Sequence, residues 1–169
     1  LFFLLFFVIG EPSEKMLFSD AIEIYDYFTK EKQYSKILAM GRSLGTAIAT
    51  FMVVNRKFDA IILVSPFDSL TNIGKSQYPY LPVNLILKHK FESIKLAPKI
   101  KIPLFMLIAL NDTLVSPESS KKLAEKWGGK VEIKEIDNED HDSILISLEY
   151  WNFITYVLNK LSEETIKKC

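Results

Sequence analysis

Three side chains in this sequence could together move a proton and attack a carbonyl: Ser43, His141 and Asp112. Ser43 is the centre of Gly41-Arg42-Ser43-Leu44-Gly45, a G-x-S-x-G pentapeptide. A serine hydroxyl is a poor nucleophile until a base removes its proton, and that base needs a third group to orient it. A tight strand-to-helix turn would hold the serine in a strained conformation, and glycine on both sides lets strand and helix approach. The helix that follows would aim the Leu44 N–H at a developing oxyanion. His141 lies in Asn138-Glu139-Asp140-His141-Asp142, and Asp112 in Asn111-Asp112-Thr113-Leu114-Val115. The rival base is His89, set between Lys88 and Lys90, and the rival acid is Asp68. Asp137, Asp140 and Asp142 stand too near His141 in sequence to orient it and are expected to solvate its loop.

Bringing these residues together requires a scaffold, and the apolar pattern supplies one. Residues 19–32 read as a helix capped by Ser19, with Ile22, Tyr25 and Phe28 at three-residue spacing. A short strand over 37–40 enters the pentapeptide, and a helix over 46–55 leaves it. Residues 60–64 and 103–110 are unbroken apolar runs, as expected of central parallel strands covered on both faces. A helix over 118–127 stops at Gly128-Gly129, a strand follows over 131–136, and a terminal helix over 143–161 carries Tyr150, Trp151, Phe153 and Tyr156. This alternation predicts an α/β fold, a mostly parallel sheet flanked by helices. Ser43, Asp112 and His141 then each sit just past the carboxyl end of a separate strand, where open α/β sheets place their ligands. Residues 65–102 form a connection too long to be plain, with Pro66, Pro79, Pro82 and Pro98 and a short helix over 83–90. Its apolar and aromatic content suits the wall of an acyl pocket.

Composition narrows the function classes. The 169 residues carry 21 basic and 21 acidic side chains and are 49% hydrophobic, which fits one globular domain and argues against disorder. A net charge of zero removes the basic footprint expected of nucleic-acid binding. One cysteine and two histidines are too few for a structural zinc site, so no metal or cofactor is expected. Residues 1–9 are an unbroken apolar run, about half of the ~20 residues a membrane span needs, and are expected to form a buried strand. The competing readings are a mistranslated or junction-derived edge and the tail of a truncated membrane span or of a signal peptide. The closing Lys167-Lys168-Cys169 does not match a prenylation box. A single cysteine suits a reducing compartment, so a cytoplasmic or membrane-associated location is expected.

Several stretches also resemble a known family. Pro12-Ser13-Glu14, Asp20-Ala21, the pentapeptide, Ser65-Pro66-Phe67-Asp68-Ser69-Leu70 and Tyr78-Pro79-Tyr80-Leu81-Pro82-Val83 do so, as do Asp112 with Val115 and His141 with Asp142. Together they resemble the α/β-hydrolases, close to the Bem46-like and serine aminopeptidase-type serine hydrolases, over about residues 10–161. The order serine, acid, histidine agrees with that fold. The resemblance implies a Ser43–Asp112–His141 triad, the Leu44 N–H as half of an oxyanion hole, and no cofactor. It divides the chain into an apolar N-terminal segment, 1–10, and the C-terminal two-thirds of a hydrolase domain, 11–169. The family's first strands, and its His-Gly loop with the second oxyanion N–H, have no counterpart in these residues. Losing one such donor costs 100- to 1000-fold, so weak or no activity is expected of this stretch by itself.

The leading functional expectation is hydrolysis of an acyl ester or thioester, on a small-molecule or lipid-like substrate or an acylated protein. Two alternatives stand beside it. One is a non-catalytic relative that binds a partner or a membrane through its apolar N-terminus, and the other a peptidase of the same fold.

Overall fold

The protein is described here by a computed structural model covering residues 13–32 and 34–166. The apolar run at 1–9 and the segment boundary at residue 10 lie outside the described residues. In chain order the elements are α1 (Glu14–Thr29), β1 (Leu38–Arg42), α2 (Leu44–Asn55), β2 (Ala60–Val64), α3 (Leu70–Gln77), α4 (Val83–Ile86) and α5 (Ser93–Leu96). They continue with β3 (Leu104–Ala109), α6 (Pro117–Glu125), β4 (Val131–Ile136) and α7 (Leu148–Ile166). Single 3-10 turns cover Ala97–Lys99 and Ser143–Ile146.

The four strands pair side by side in the order β1-β2-β3-β4, all parallel. Every residue of β2 and β3 is buried, which is why both read as continuous apolar runs. Alternation sends their side chains to two different cores. Ile62, Val64, Phe105 and Leu107 meet Tyr150, Phe153, Ile154 and Val157 of α7 on one face. Ile61, Leu63, Met106 and Ile108 meet Ala49 of α2, Leu123 of α6 and Trp127 on the other. Burying each large aliphatic side chain contributes about 1.5–3 kcal/mol. The result is the α/β architecture of the sequence reading, a parallel sheet flanked by helices.

Several boundaries differ from the expectation, each for a local reason. Helix α1 starts at Glu14 rather than Ser19, because Ser13 caps it by accepting from the Met16 N–H at 3.2 Å. Strand β1 runs on through Gly41 and Arg42, which pair with Leu63 and Val64, so two residues of the pentapeptide are strand. Helix α2 correspondingly opens at Leu44. The short helix expected over 83–90 ends at Ile86, and the chain instead turns inward to the buried Phe91, whose φ is 42°.

At the other end, the terminal helix is interrupted. Ser143–Ile146 is a 3-10 turn, and Ser147 then accepts from the Tyr150 N–H at 3.1 Å to start α7 afresh. Of the four aromatic residues expected on one face of that helix, Tyr150 and Phe153 are buried while Trp151 and Tyr156 point outward. The long connection after β2 carries α3, α4 and α5. With Ala47 and Val115 its Phe67 and Phe91 form a third small core, at the rim where the strands end.

Candidate active site

Ser43 occupies the single residue between β1 and α2, with φ 50° and ψ −123°. That region is costly for a residue with a Cβ, about 1–3 kcal/mol, so neighbouring structure must enforce it. The Ser43 N–H donates to the Val64 carbonyl at 3.0 Å, extending the β1–β2 ladder by one bond. Its own carbonyl accepts from the Thr46 N–H at 2.9 Å and from the Thr46 hydroxyl, fixing the first turn of α2. A Cβ on Gly41 would lie 2.3 Å from the Gly45 carbonyl oxygen, so only glycine fits there. Gly45 differs from the expectation: among the described residues a Cβ there meets nothing within 4 Å. As the first residue of α2, Leu44 has an N–H with no carbonyl one turn earlier to receive it.

His141 follows β4 in a loop and spans the gap between the other two residues. Its Nε2 lies 3.0 Å from Ser43 Oγ, and its Nδ1 lies 2.7 Å from Asp112 Oδ2. Asp112 stands after β3, its side chain only 1% exposed. The other carboxylate oxygen accepts from the Leu114 and Val115 N–H groups at 3.0 and 2.8 Å. With both oxygens occupied, the carboxylate has one orientation. If Nδ1 donates to Asp112, Nε2 is left as an acceptor for the Ser43 hydroxyl. The structure thus brings Ser43, His141 and Asp112 into one line of hydrogen bonds.

The rivals lie elsewhere. Asp68 accepts from the Ser69 N–H at 2.6 Å, the Asn72 amide at 2.6 Å and the Ser119 hydroxyl at 2.9 Å, tying α3 to α6. His89 accepts from the Glu14 N–H at 3.3 Å, at the start of α1. Asp140 accepts from the Asp142 and Ser143 N–H groups at 2.9 and 2.8 Å, closing the turn around His141. Those bonds hold its carboxyl below the usual range; the Ser143 N–H is the largest cause. Asp142 does more than solvate the loop, since its Oδ1 accepts from Arg42 Nη2 at 2.8 Å. The same nitrogen donates to the His141 carbonyl at 2.6 Å. Arg42 has no part in the sequence expectation; the signal that points to it is a cation inside the pentapeptide and an acidic residue directly after the histidine.

Beside Leu44 opens a cleft of about 660 Å³, lined by Leu70, Ile73, Leu81, Val83, Ile86 and Leu114 among others. Glu14, Lys88 and His89 also belong to its lining. Neither this cleft nor a hollow of similar volume around Lys15, Phe18 and Phe51 is lined by any of the three aligned residues, but the cleft includes Leu44, the neighbour of Ser43. Among the described residues no group of three His, Cys, Asp or Glu side chains is placed to hold a metal ion. No helix among them is long and apolar enough to cross a membrane.

A parallel sheet with a serine on the strained strand–helix turn, followed by an acid and a histidine at later strand ends, is the layout of the α/β-hydrolase fold. The serine hydrolase family model matches residues 26–160, and the chain belongs to that family. An uncharacterised protein of Mycobacterium tuberculosis is 31% identical over 116 residues, spanning 68% of this chain and 41% of its own length. The lysophosphatidylserine lipase ABHD12 of Danio rerio is 32% identical over 134 residues, spanning 68% of this chain and 35% of the lipase. The chain thus spans well under half the length of these relatives. An acetyl xylan esterase from Paenibacillus shares the fold with a TM-score of 0.69 at 16% identity, over 87% of this chain and 52% of the esterase.

Proposed function

We propose that the protein hydrolyses an acyl ester or thioester through Ser43, His141 and Asp112. The observation that carries the reading is the bridging imidazole, 3.0 Å from the hydroxyl and 2.7 Å from the carboxylate. Ser43 Oγ attacks the acyl carbonyl while His141 Nε2 takes its proton; Asp112 holds the ring and balances the imidazolium charge that results. The tetrahedral oxyanion forms at the start of α2, where the Leu44 N–H serves as one donor. His141 then returns the proton to the leaving alcohol or thiol, and water repeats the sequence to free Ser43.

The substrate we assign is a single-chain lipid-like ester. A cleft of about 660 Å³ lined by aliphatic side chains is of the size that encloses one small ligand, and it reaches the residue next to Ser43. Of the charged side chains in the lining, Glu14 already accepts from the Lys90 N–H at 3.0 Å, which leaves the exposed Lys88 to face an anionic headgroup. The name of the Danio rerio relative points to a lipid of that kind.

A fluorophosphonate probe tests the reading. It should label the protein and fail to label Ser43→Ala. Absence of labelling in a folded protein that also carries the second oxyanion donor, or labelling that survives S43A, overturns it.

A further inference from the structure

We infer that Arg42 is a positioning residue for His141, tying the base's loop to the strand that carries the nucleophile. The inference rests on the hydrolase reading above and adds a component to it.

The need for such a tie follows from the sheet order. Ser43 leaves β1 and His141 follows β4, so three strand spacings, about 14 Å, separate their strands. The loop after β4 must cross the rim of the sheet before its imidazole can reach Ser43. On the near side it is anchored by the Asn111 N–H, which donates to the Glu139 carbonyl at 2.9 Å, and by the Asp140 turn. On the far side, apart from the imidazole's own bonds, the anchor among the described residues is Arg42.

Arg42 pairs in register with Val64, whose side chain lies in the core under α7. Its guanidinium therefore rises from that face of the sheet while Ser43, the next residue, turns into α2. Nη2 has two hydrogens and two acceptors: the His141 carbonyl at 2.6 Å and Asp142 Oδ1 at 2.8 Å. The ion pair alone would mean little, because the Asp142 side chain is 90% exposed and surface pairs contribute little. The carbonyl bond is different, since it fixes the backbone of the base itself. Hydroxyl and imidazole are thus held by adjacent residues of one strand end. Misplacing reacting groups by about 1 Å can cost 100-fold in rate, so removal of this tie should appear in turnover.

The test compares Arg42→Met, which keeps the stem and removes the donors, with Arg42→Lys and Asp142→Asn, using p-nitrophenyl ester hydrolysis. R42M is expected to lower kcat 10- to 100-fold with KM within twofold. R42K should recover to within about fivefold of the unaltered protein, and D142N should lose less than R42M because the carbonyl bond remains. A kcat within twofold in R42M overturns the inference, as does a loss confined to KM or an equal loss in R42K. Melting curves check that each variant is folded, and Arg42→Leu, which also lacks a donor, replaces R42M if it is not.

A second readout separates this inference from the hydrolase reading. The His141 Nδ1 proton, bonded to Asp112, should give a far-downfield NMR resonance that R42M broadens or abolishes. If the probe fails to label Ser43, the hydrolase reading falls and this resonance alone decides. Its persistence unchanged in R42M overturns the tether.

Discussion

The turn that carries Ser43 and the loop that carries His141 are held by different physics. The Ser43 turn is fixed by backbone and sterics: a ladder bond to Val64, a helix-opening bond to Thr46, and contact across Gly41 too close for any Cβ. The His141 loop contains no such contact. It is fixed by polar bonds from four places, the Asp112 carboxylate, the Arg42 guanidinium, the Asn111 N–H and its own Asp140 turn. A steric device fails abruptly when one atom is added. A set of polar ties should fail by degrees, and the degrees should rank the ties.

Asp112 is expected to be the strongest of them. Asp112→Asn keeps the shape but offers the ring a donor where it needs an acceptor, favouring the wrong tautomer. By the proposed mechanism kcat should fall about 10^4-fold with KM little changed. A loss under 10-fold would remove Asp112 from the role assigned to it. The steric side has its own large effect. Gly41→Ala places a methyl 2.3 Å from a backbone oxygen, and unfolding in urea should show a loss of about 3 kcal/mol or more. Gly45→Ala, with nothing within 4 Å among the described residues, should stay within about 0.5 kcal/mol. Equal costs at the two glycines would mean that the turn is not held by the Gly41 approach.

The same division explains what could be read from the sequence. The sheet was legible because β2 and β3 are buried on both faces and so appear as unbroken apolar runs between Gly and Pro punctuation. The meeting of Ser43, Asp112 and His141 at one rim follows from their places after three of the four parallel strands, β1, β3 and β4. Helix starts were less legible, because Ser13 and Ser19 offer the same capping chemistry and only the Met16 bond distinguishes them. Likewise Ser147, not Ser143, starts α7, a choice made by one hydroxyl. The Arg42 tether was hidden for a different reason. Its partners lie about 100 positions away, and no local pattern encodes a side chain reaching that far across a sheet. That Gly45 lacks a steric role was equally invisible, since the pentapeptide presents its two glycines as equals.

A smaller effect probes the cost of the Ser43 conformation. Glycine is at ease at φ 50°, whereas alanine is as strained there as serine. Ser43→Gly should therefore be more stable than Ser43→Ala by about 1 kcal/mol, although both are inactive under the proposed mechanism. Chemical denaturation of the two variants makes the comparison, and equal stability would show that the turn stores no strain.

The weakest expected effect lies in the Asp140 turn, where charge rather than shape is at stake. Hydrogen bonds from the Ser143 and Asp142 N–H groups hold the Asp140 carboxyl below the usual range. A carboxyl depressed on folding supports the fold above its ordinary titration range, and that support is lost as pH falls through the depressed value. The loop around His141 should therefore keep its turn at neutral pH and loosen as pH falls below the range in which an ordinary aspartate titrates. The Ser143 amide resonance is expected to titrate at a pH below that of an ordinary aspartate, and to stop titrating in Asp140→Asn. Because the asparagine oxygen still accepts both bonds, D140N should cost only about two- to fivefold in kcat at pH 7, the low end for a single hydrogen bond. A larger loss than in R42M would reverse the ranking and make the local turn, not the tether to β1, the main support of the base.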